Sequence, residues 1–512
     1  MSTEIERVTI VGGGDSGLLT ALCLQRLNPT IDIQVIDDSA EARSDVGKST
    51  FKAIIDILHD FLGIDRQEFI REVRPVFKTS VYFRDWCGCD SFHYPFDLLT
   101  TMPSRLQEDS GERYYHLYET EYVDQSYQTV NEAMFHTRKA PYYFTGDGSL
   151  DVYDYFAYHL DVDRFNSFLK KVCHNRGISF INDRIIQVET AGNVIKFIAS
   201  SDTKYDADLF IDASGFTRLL KQEQDCSFRE FELPLDAAIN TRIDRPIADI
   251  EPATIIDTGD YGWFWQIDTF DYRDVGYVYA SEFIDQEAAI SEFQRHCCIE
   301  DQEVQLRQYN FSSGYFPNSW KANCIAIGNA AGFVEPLQST GLTANAQAAL
   351  ILSILLAGNS RQNHGGIREN FNTYVQCMWE TIYDFILVHY LYANGDGDFW
   401  QQMQLLAPTA RVEAIIECFD QNGVNTAVNP IKYDPEAREL VLFSLEVFYA
   451  IMRKMGAESV FYESARIEVS DKVVDERSQM YEAMQNDVKH FLTTEQFYRT
   501  LLNSDDITTS TT

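Results

Sequence analysis

Residues Val8 to Asp37 carry the pattern that most restricts the fold. The run Val8-Thr9-Ile10-Val11 reads as a buried strand. It leads into Gly12-Gly13-Gly14-Asp15-Ser16-Gly17, and Leu18 to Leu27 reads as the helix that follows. A second strand, Ile33-Gln34-Val35-Ile36, ends in Asp37, about 20 residues past the glycines. Strand, G-x-G-x-x-G, helix, strand and acid in this order form a dinucleotide fingerprint. Gly12, Gly14 and Gly17 allow a tight turn and close backbone approach, with Ser16 inside the turn. Unpaired N–H groups at the helix start suit a pyrophosphate, and the Asp37 carboxylate suits a ribose hydroxyl. These residues do not choose between FAD and NAD. They do commit the start of the chain to an α/β sheet.

A second strand-to-helix junction lies far along the chain. Cys324-Ile325-Ala326-Ile327 reads as a short buried strand, and Thr343 to Ala357 as a helix. Between them runs Gly328-Asn329-Ala330-Ala331-Gly332-Phe333-Val334-Glu335-Pro336-Leu337-Gln338-Ser339-Thr340-Gly341-Leu342. Gly328, Gly332 and Gly341 let the backbone approach a flat ligand. Thr340 and Gly341 stand where exposed amides could hold a small anion. An ordinary glycine-punctuated turn would read the same way.

At 512 residues the chain has length for two or three domains. Its formal charge of −36 argues against nucleic acid or an anionic membrane as partner. No basic region followed by an apolar run opens the chain, so no signal peptide is expected. The longest largely apolar run, Ala348 to Ala357, is too short to span a bilayer, and a cytoplasmic protein is expected. Among ten cysteines only Cys87/Cys89 and Cys297-Cys298 are close pairs, without zinc-site spacing. Reduced thiols and no metal are the expectation.

Val46-Gly47-Lys48-Ser49-Thr50 ends like a phosphate loop, but Ala42 stands where its first glycine belongs. A helix is expected from Phe51 to Leu62. Phe77-Lys78-Thr79-Ser80-Val81-Tyr82-Phe83 reads as one strand. Its Lys78 is either a surface lysine on an edge strand, the commoner fate, or a partly desolvated amine tuned by burial. From Phe92 to Tyr155 the chain is rich in Tyr, Phe and His, a composition that packs a core or lines a pocket for a flat ligand. Ala157 to Val172 reads as a helix and Ile178 to Val188 as strand. Asp208 to Phe216 repeats the strand-then-glycine pattern and can rejoin the first sheet. Residues 71–156 would then be an insertion. Ala237 to Phe283 reads as alternating strands. There Trp263 and Trp265 share one strand face, as core or as a wall against a cofactor. Past residue 358 helices dominate: Phe371 to Tyr392, Phe399 to Leu406, Arg411 to Phe419, Pro435 to Met455 and Asp471 to Leu502. Ser504 to Thr512 reads as a frayed tail.

Together these motifs resemble the flavin-dependent tryptophan halogenase family. The resemblance covers most of the first 400 residues. It rests on Gly12-Gly13-Gly14-x-x-Gly17, Val46-Gly47-x-Ser49-Thr50, Phe77-Lys78, Asp208-Leu209-Phe210-Ile211-Asp212-x-Ser214-Gly215-Phe216 and Trp263-x-Trp265-x-Ile267. The most specific piece is Glu335-Pro336-Leu337-x-Ser339-Thr340-Gly341. Asp384-Phe385-Ile386, His389-Tyr390 and Phe399-Trp400 also fit. The implied fold is an FAD-binding, Rossmann-like α/β flavoprotein monooxygenase type with sheet-rich insertions and a C-terminal helical domain. An FAD and halogenation module would occupy residues 1–358, and a substrate-capping domain residues 359–512.

The implied chemistry is that FAD, used as FADH2, and O2 oxidise a halide (chloride, bromide or iodide) to hypohalous acid. The acid travels through an internal tunnel to a separate substrate pocket for an aromatic small molecule. Lys78 would hold the active halogen species, and Thr340 and Gly341 the halide. Gly12, Gly14, Ser16, Gly17, Asp37, Ser49, Ile186, Gly328 and Leu337 would bind the cofactor. Tyr94, Phe96, Trp263 and Trp265 would line the substrate side, and the tryptophan pair would keep substrate from the flavin. A separate flavin reductase would supply FADH2, since there is no nicotinamide site. A homo-oligomer is compatible with this reading.

Four positions depart from the family pattern. Gln338 replaces the family's glutamate, and a carboxamide hydrogen-bonds without accepting a proton as a carboxylate does. Lys48 replaces an acid, Asp268 a proline, and Tyr94 the usual histidine. The C-terminal Tyr-Tyr and Glu cluster that holds free tryptophan's backbone has no counterpart, so another electron-rich indole-type or aromatic substrate is expected. An FAD-dependent monooxygenase or oxidoreductase on the same scaffold is the alternative.

Overall fold

The computed structural model describes residues 5–38, 47–88, 91–97, 129–358, 364–423, 430–431, 440–460, 479 and 482–503. The chain divides into two units, each drawn from three separate segments. The first comprises Met1–Pro75, Leu160–Asp236 and Asn310–Tyr383; the second comprises Val76–His159, Ala237–Tyr309 and Asp384–Thr512.

The first unit is built on a six-stranded sheet. Its order is Ser179–Asn182, Asp32–Asp37, Arg7–Val11, Leu209–Asp212, Cys324–Ala326 and Trp320–Lys321. The first five strands run parallel, with Val8 opposite both Ile33 and Leu209, and only the last pair is antiparallel. Parallel strands covered on both faces are apolar throughout, which is why these runs show little alternation. The helix Asp15–Leu27 buries every residue from Gly17 to Leu24. It packs against the helix Gly341–Gly358 and is pinned to it where Asn28 donates to the Ser353 carbonyl at 3.0 Å.

Asp212 closes the central strand and organises the loop beyond it. Its buried carboxylate accepts from the Ser214 N–H (3.1 Å) and hydroxyl (2.6 Å) and from the N–H groups of Leu220 (2.7 Å) and Lys221 (2.8 Å). Four donors on one carboxylate hold residues 213–221 against the sheet end, where Gly215 turns at φ 68°.

The second unit centres on a seven-stranded sheet. Its order is Arg307–Asn310, Ala237–Ile243, Arg273–Tyr279, Gly262–Asp268, Ala253–Gly259, Ser80–Arg84 and Phe92–Pro95. Phe264 and Tyr277 stack at 4.2 Å on one face, over a core with Ile239 and Phe293. Trp263 and Trp265 point to the other face, as the two-residue period requires. Trp265 is seated over Gly276, where a Cβ would come within 2.1 Å of the indole.

Several segments differ from the sequence reading. The expected single strand Phe77 to Phe83 is two, Val76–Lys78 and Ser80–Arg84. They part at Thr79, whose N–H (2.8 Å) and hydroxyl (2.9 Å) both donate to the Pro252 carbonyl. The expected helix Ala157 to Val172 opens as the strand Ala157–Leu160, paired with Val76–Lys78. Its helix, Val162–Asn175, starts only after Asp161 caps the Arg164 N–H at 2.8 Å. The expected helix Phe51 to Leu62 is a short helix, Ala53–Ile55, continued as the π-helix Asp56–Phe61. In place of one helix from Asp471 to Leu502, residues 482–489 are helical. The strand Phe491–Thr493 then pairs with Lys139–Phe144 before the helix Thr494–Asn503. The helix Leu445–Lys454 falls within the expected Pro435 to Met455. Residues 432–439, Ser504 to Thr512 and the aromatic residues Tyr114-Tyr115 lie outside the described residues. Among the described residues no helix is long and apolar enough to cross a membrane.

Asp212→Ala leaves three backbone N–H groups and a hydroxyl without their acceptor. Urea denaturation is expected to show a loss of about 3 kcal/mol. A loss near zero would mean that solvent satisfies this loop and that the carboxylate does not anchor it.

Candidate functional site

In the first unit the glycines of the fingerprint separate into two kinds. Gly12, at φ 113°, lies so close to the neighbouring strand that a Cβ would sit 2.3 Å from the Ala213 carbonyl. A Cβ on Gly17 would sit 2.0 Å from the Gly12 carbonyl. These two glycines let strand and helix pack. Gly14 is different, since a Cβ there would meet nothing within 4 Å. It is the N-cap of helix Asp15–Leu27 and no side chain caps that end, so the first N–H groups stay open to an anion. Asp37 ends its strand beside this turn, accepting from the Gly13 N–H at 2.9 Å and from the Lys170 amine at 3.0 Å. Ser16 accepts from the Asn345 amide at 3.0 Å, and Gly328 (φ 71°) has room only because its Cβ is missing over Ser16. These features fit a dinucleotide whose pyrophosphate lies at the helix start. Ser49 is 9% exposed on a two-residue strand, whereas Ile186 is 64% exposed, an unusual state for a large apolar side chain.

The Glu335 to Gly341 turn also belongs to this unit. Glu335, Leu337 and Gln338 are fully buried. Ser339 takes a left-handed conformation, φ 56°, and donates its N–H to the Pro336 carbonyl at 2.8 Å. This tight turn delivers Thr340, 2% exposed, to the start of helix Gly341–Gly358. A Cβ on Gly341 would meet nothing within 4 Å, so the helix start is open there as it is at Gly14. Thr343, next along the helix, accepts from the Phe51 N–H at 3.1 Å and ties the turn to the chain beyond Ser49.

In the second unit, Lys78 is fully buried. The reading of it as a surface lysine is therefore wrong. It ends its strand against Ala157, and the kink at Thr79 turns its neighbours to different sheets. Burial holds its amine well below the ordinary lysine range. The amine lies 5.3 Å from the centre of the Phe96 ring. Tyr94, two residues before, is 7% exposed and edges against Phe96 (6.2 Å) and Phe385 (6.0 Å). The lysine and two expected substrate-side aromatics thus gather in one unit.

His159 joins this group and was not singled out in the sequence. Its ring nitrogens contact the Asp268 carbonyl (3.1 Å) and the Thr254 hydroxyl (2.9 Å). Burial, and then the nearby Lys78, lower its proton affinity. Asp268 is the buried centre of an ionic cluster: its carboxylate takes Arg273 at 2.6 and 2.9 Å and the Glu251 N–H at 2.7 Å, with Arg245 at 3.4 Å. Trp263 and Trp265 are buried 6.1 Å apart, and Trp265 donates to Asp274 at 2.8 Å. Among the described residues no His, Cys, Asp and Glu side chains group as metal ligands, and the cysteines there are free thiols.

Asp97, beside Phe96, accepts from the Asn131 N–H and the Tyr153 hydroxyl, both at 3.0 Å. Burial nonetheless pushes its carboxyl up to about 6. The folded state therefore binds this proton more tightly than the unfolded chain does. Its contribution to stability is complete below the ordinary carboxyl range and is lost as pH rises through about 6. Asp97→Asn is expected to match the wild type in urea near pH 3 and to exceed it by up to about 3 kcal/mol at pH 7. A difference that does not change with pH would refute this assignment.

The comparisons with known proteins agree with this geometry. The family model for tryptophan halogenase matches residues 7–461. Tryptophan 7-halogenase RebH of Lentzea aerocolonigenes is 27% identical over 432 residues, covering 78% of this chain and 79% of that protein. Tryptophan 6-halogenase SttH of Streptomyces toxytricini is 26% identical over 449 residues, covering 80% and 83%. Among solved structures, a tryptophan C-6 flavin-dependent halogenase (chlorinase) from taromycin biosynthesis superposes with a TM-score of 0.85 at 23% identity. That match covers 97% of this chain and 100% of the other. With its parallel nucleotide sheet, its mixed α/β architecture and a family match over nearly the whole length, the chain belongs to the tryptophan halogenase family, whose members are flavin-dependent enzymes.

Proposed function

We propose that this enzyme halogenates an electron-rich aromatic or heteroaromatic small molecule of indole type, other than free tryptophan, using FADH2, O2 and a halide. The observation that carries this reading is Lys78, an amine fully buried and set over the Phe96 ring. Such an amine has lost much of its affinity for a proton. It is then free to accept a hydrogen bond from hypohalous acid or to take its electrophilic halogen. An exposed lysine, carrying a proton at neutral pH, could do neither.

FAD, once bound and reduced by a separate flavin reductase, would supply two electrons to O2, and the halide would supply the other two in becoming HOX. The chain's own residues do the rest. Gly14, Ser16 and Asp37 hold the dinucleotide on a turn whose packing Gly12 and Gly17 permit, assisted by Ser49, Ile186, Gly328 and Leu337. The open helix start at Thr340 and Gly341 holds the halide. Tyr94 and Phe96 face the arene, and Trp263 and Trp265 keep it from the flavin. Attack of the arene on HOX forms the C–X bond and releases hydroxide. Loss of the ring proton to that hydroxide or to water completes the step: Ar–H + HOX gives Ar–X + H2O. Gln338, fully buried and neutral, orients the arene or HOX by hydrogen bonding and leaves the ring proton to water.

The decisive assay combines the protein with FAD, a flavin reductase, NADH, O2 and a panel of indoles and phenols, with bromide or chloride present in turn. Mass spectrometry is expected to find a halide-dependent product that falls by at least about 100-fold in Lys78→Ala. Hydroxylated product, or none with any arene, would reject the proposal. Two glycine variants test the cofactor assignment separately. Gly14→Ala is expected to keep the wild-type melting temperature and to weaken FAD binding at least about tenfold. Gly12→Ala is expected to fail in folding itself, because its Cβ would meet the Ala213 carbonyl. Equal FAD affinity in Gly14→Ala and wild type would remove the pyrophosphate from this helix start.

A further inference from the structure

Three chain segments lie beside Lys78, and a single residue joins them, two through its side chain and one through its backbone. Asn131 is the second residue of helix Val130–His136 and is fully buried. Its two amide hydrogens go to the carbonyls of Thr79 (2.8 Å) and Tyr155 (2.7 Å). Its backbone N–H goes to the Asp97 carboxylate at 3.0 Å. Thr79 is the residue after Lys78. Tyr155 leads into Ala157, the strand partner of Lys78. Asp97 follows Phe96, whose ring faces the Lys78 amine. Three segments beside the lysine are therefore bonded to one residue.

The helix that presents Asn131 is itself fastened. Thr129 and Glu132 form a capping box, with both bonds at 3.1 Å, and Glu132 pairs with Lys454 at 3.1 Å. A carboxamide suits this task better than the alternatives. Two backbone carbonyls need two donors, which aspartate, serine and leucine cannot supply together. Lysine or arginine could donate, but would place a cation in the buried surroundings of Lys78 and His159. Among the charged side chains on the bonded segments and beside His159, Asp97, Arg245 and Asp268 each have partners of their own.

We propose that Asn131 is a positioning residue for Lys78, holding the strand ends so that the amine stays buried and aimed at one point. The proposal rests on the catalytic role assigned to Lys78 above. It does not need Asn131 to touch substrate or cofactor. Its signature is a change in Lys78's accessibility and reactivity that ordinary destabilisation of the same helix does not cause.

The test compares Asn131→Leu, close in size but without donors, with Thr129→Ala, which weakens the helix cap and leaves the clamp in place. Mass spectrometry follows acetylation of Lys78 by an N-hydroxysuccinimide ester across a pH series in the full-length enzyme. Lys78 is expected to label at least about tenfold faster in Asn131→Leu, with an altered pH midpoint, and at the wild-type rate in Thr129→Ala. Halogenation kcat is expected to fall at least about tenfold in Asn131→Leu, with KM for the arene within about threefold. If Asn131→Leu shows no cooperative melt, Asn131→Ala carries the same expectation at reduced size, since water can enter and serve the carbonyls. Wild-type labelling in the asparagine variants, or an equal rise in Thr129→Ala, would overturn the proposal. Absence of any halide-dependent product in wild type would sink the functional reading instead. The labelling arm would still decide whether Asn131 positions the lysine.

Discussion

Keeping an amine out of water is the constraint on which the second unit is organised. A lysine without solvent loses its hydration and surrenders its proton more readily, at a cost the fold must meet elsewhere. Here the cost is met by fixing everything around it. Thr79 breaks the strand with two bonds to Pro252, Asn131 fastens Thr79, Tyr155 and Asp97, and His159 is held between Thr254 and Asp268. None of these bonds reaches out to the chemistry. Their joint effect is to prevent a long flexible side chain from finding water, which is what the proposed role of Lys78 requires.

The first unit solves a different problem, that of bringing backbone close to a ligand while keeping the sheet packed. Gly12 and Gly17 are consumed by packing against Ala213 and each other. Gly14 and Gly341 point at nothing within 4 Å, and both stand at helix starts. The same residue type thus serves two ends a few positions apart. Space around the absent Cβ tells the two roles apart. Asp212 supports both ends by holding the 213–221 loop in place, because Ala213 is the residue against which Gly12 packs.

The legible parts of the sequence were those with a local signature. Strand, glycines, helix and Asp37 are contiguous in the chain and contiguous in space, so the parallel strands of the first unit could be read directly. The turn before Gly341 was legible for the same reason. Lys78 was not, because its surroundings include residues distant in the chain, Ala157 and His159 among them. The segment Ala157 to Val172 misled because Phe165, Phe168 and Leu169 set a helical period that ran back across Asp161. That aspartate is an N-cap, and giving it its weight would have ended the helix there and freed Ala157–Leu160 to pair as a strand. Asn131 did have a local sign, the capping box Thr129-Val130-Asn131-Glu132, which marks a helix start without revealing what the helix holds.

Gln338 is where these threads meet. The family resemblance sets a glutamate at this position, and a fully buried carboxylate would demand donors or a cation to offset its lost hydration. Glutamine, equally buried, makes a smaller demand, because its amide carries no charge. Its amide can donate as well as accept, so it can align a substrate from either side. What it gives up is the ability to take the ring proton, and an arene losing that proton to water or hydroxide needs no fixed base nearby. Under the proposed function, the electrophile's delivery is then the step that most depends on the protein, and Lys78 is the residue proposed for it. On that proposal, a chain that dispenses with a carboxylate at 338 leans harder on how rigidly the buried Lys78 amine is held.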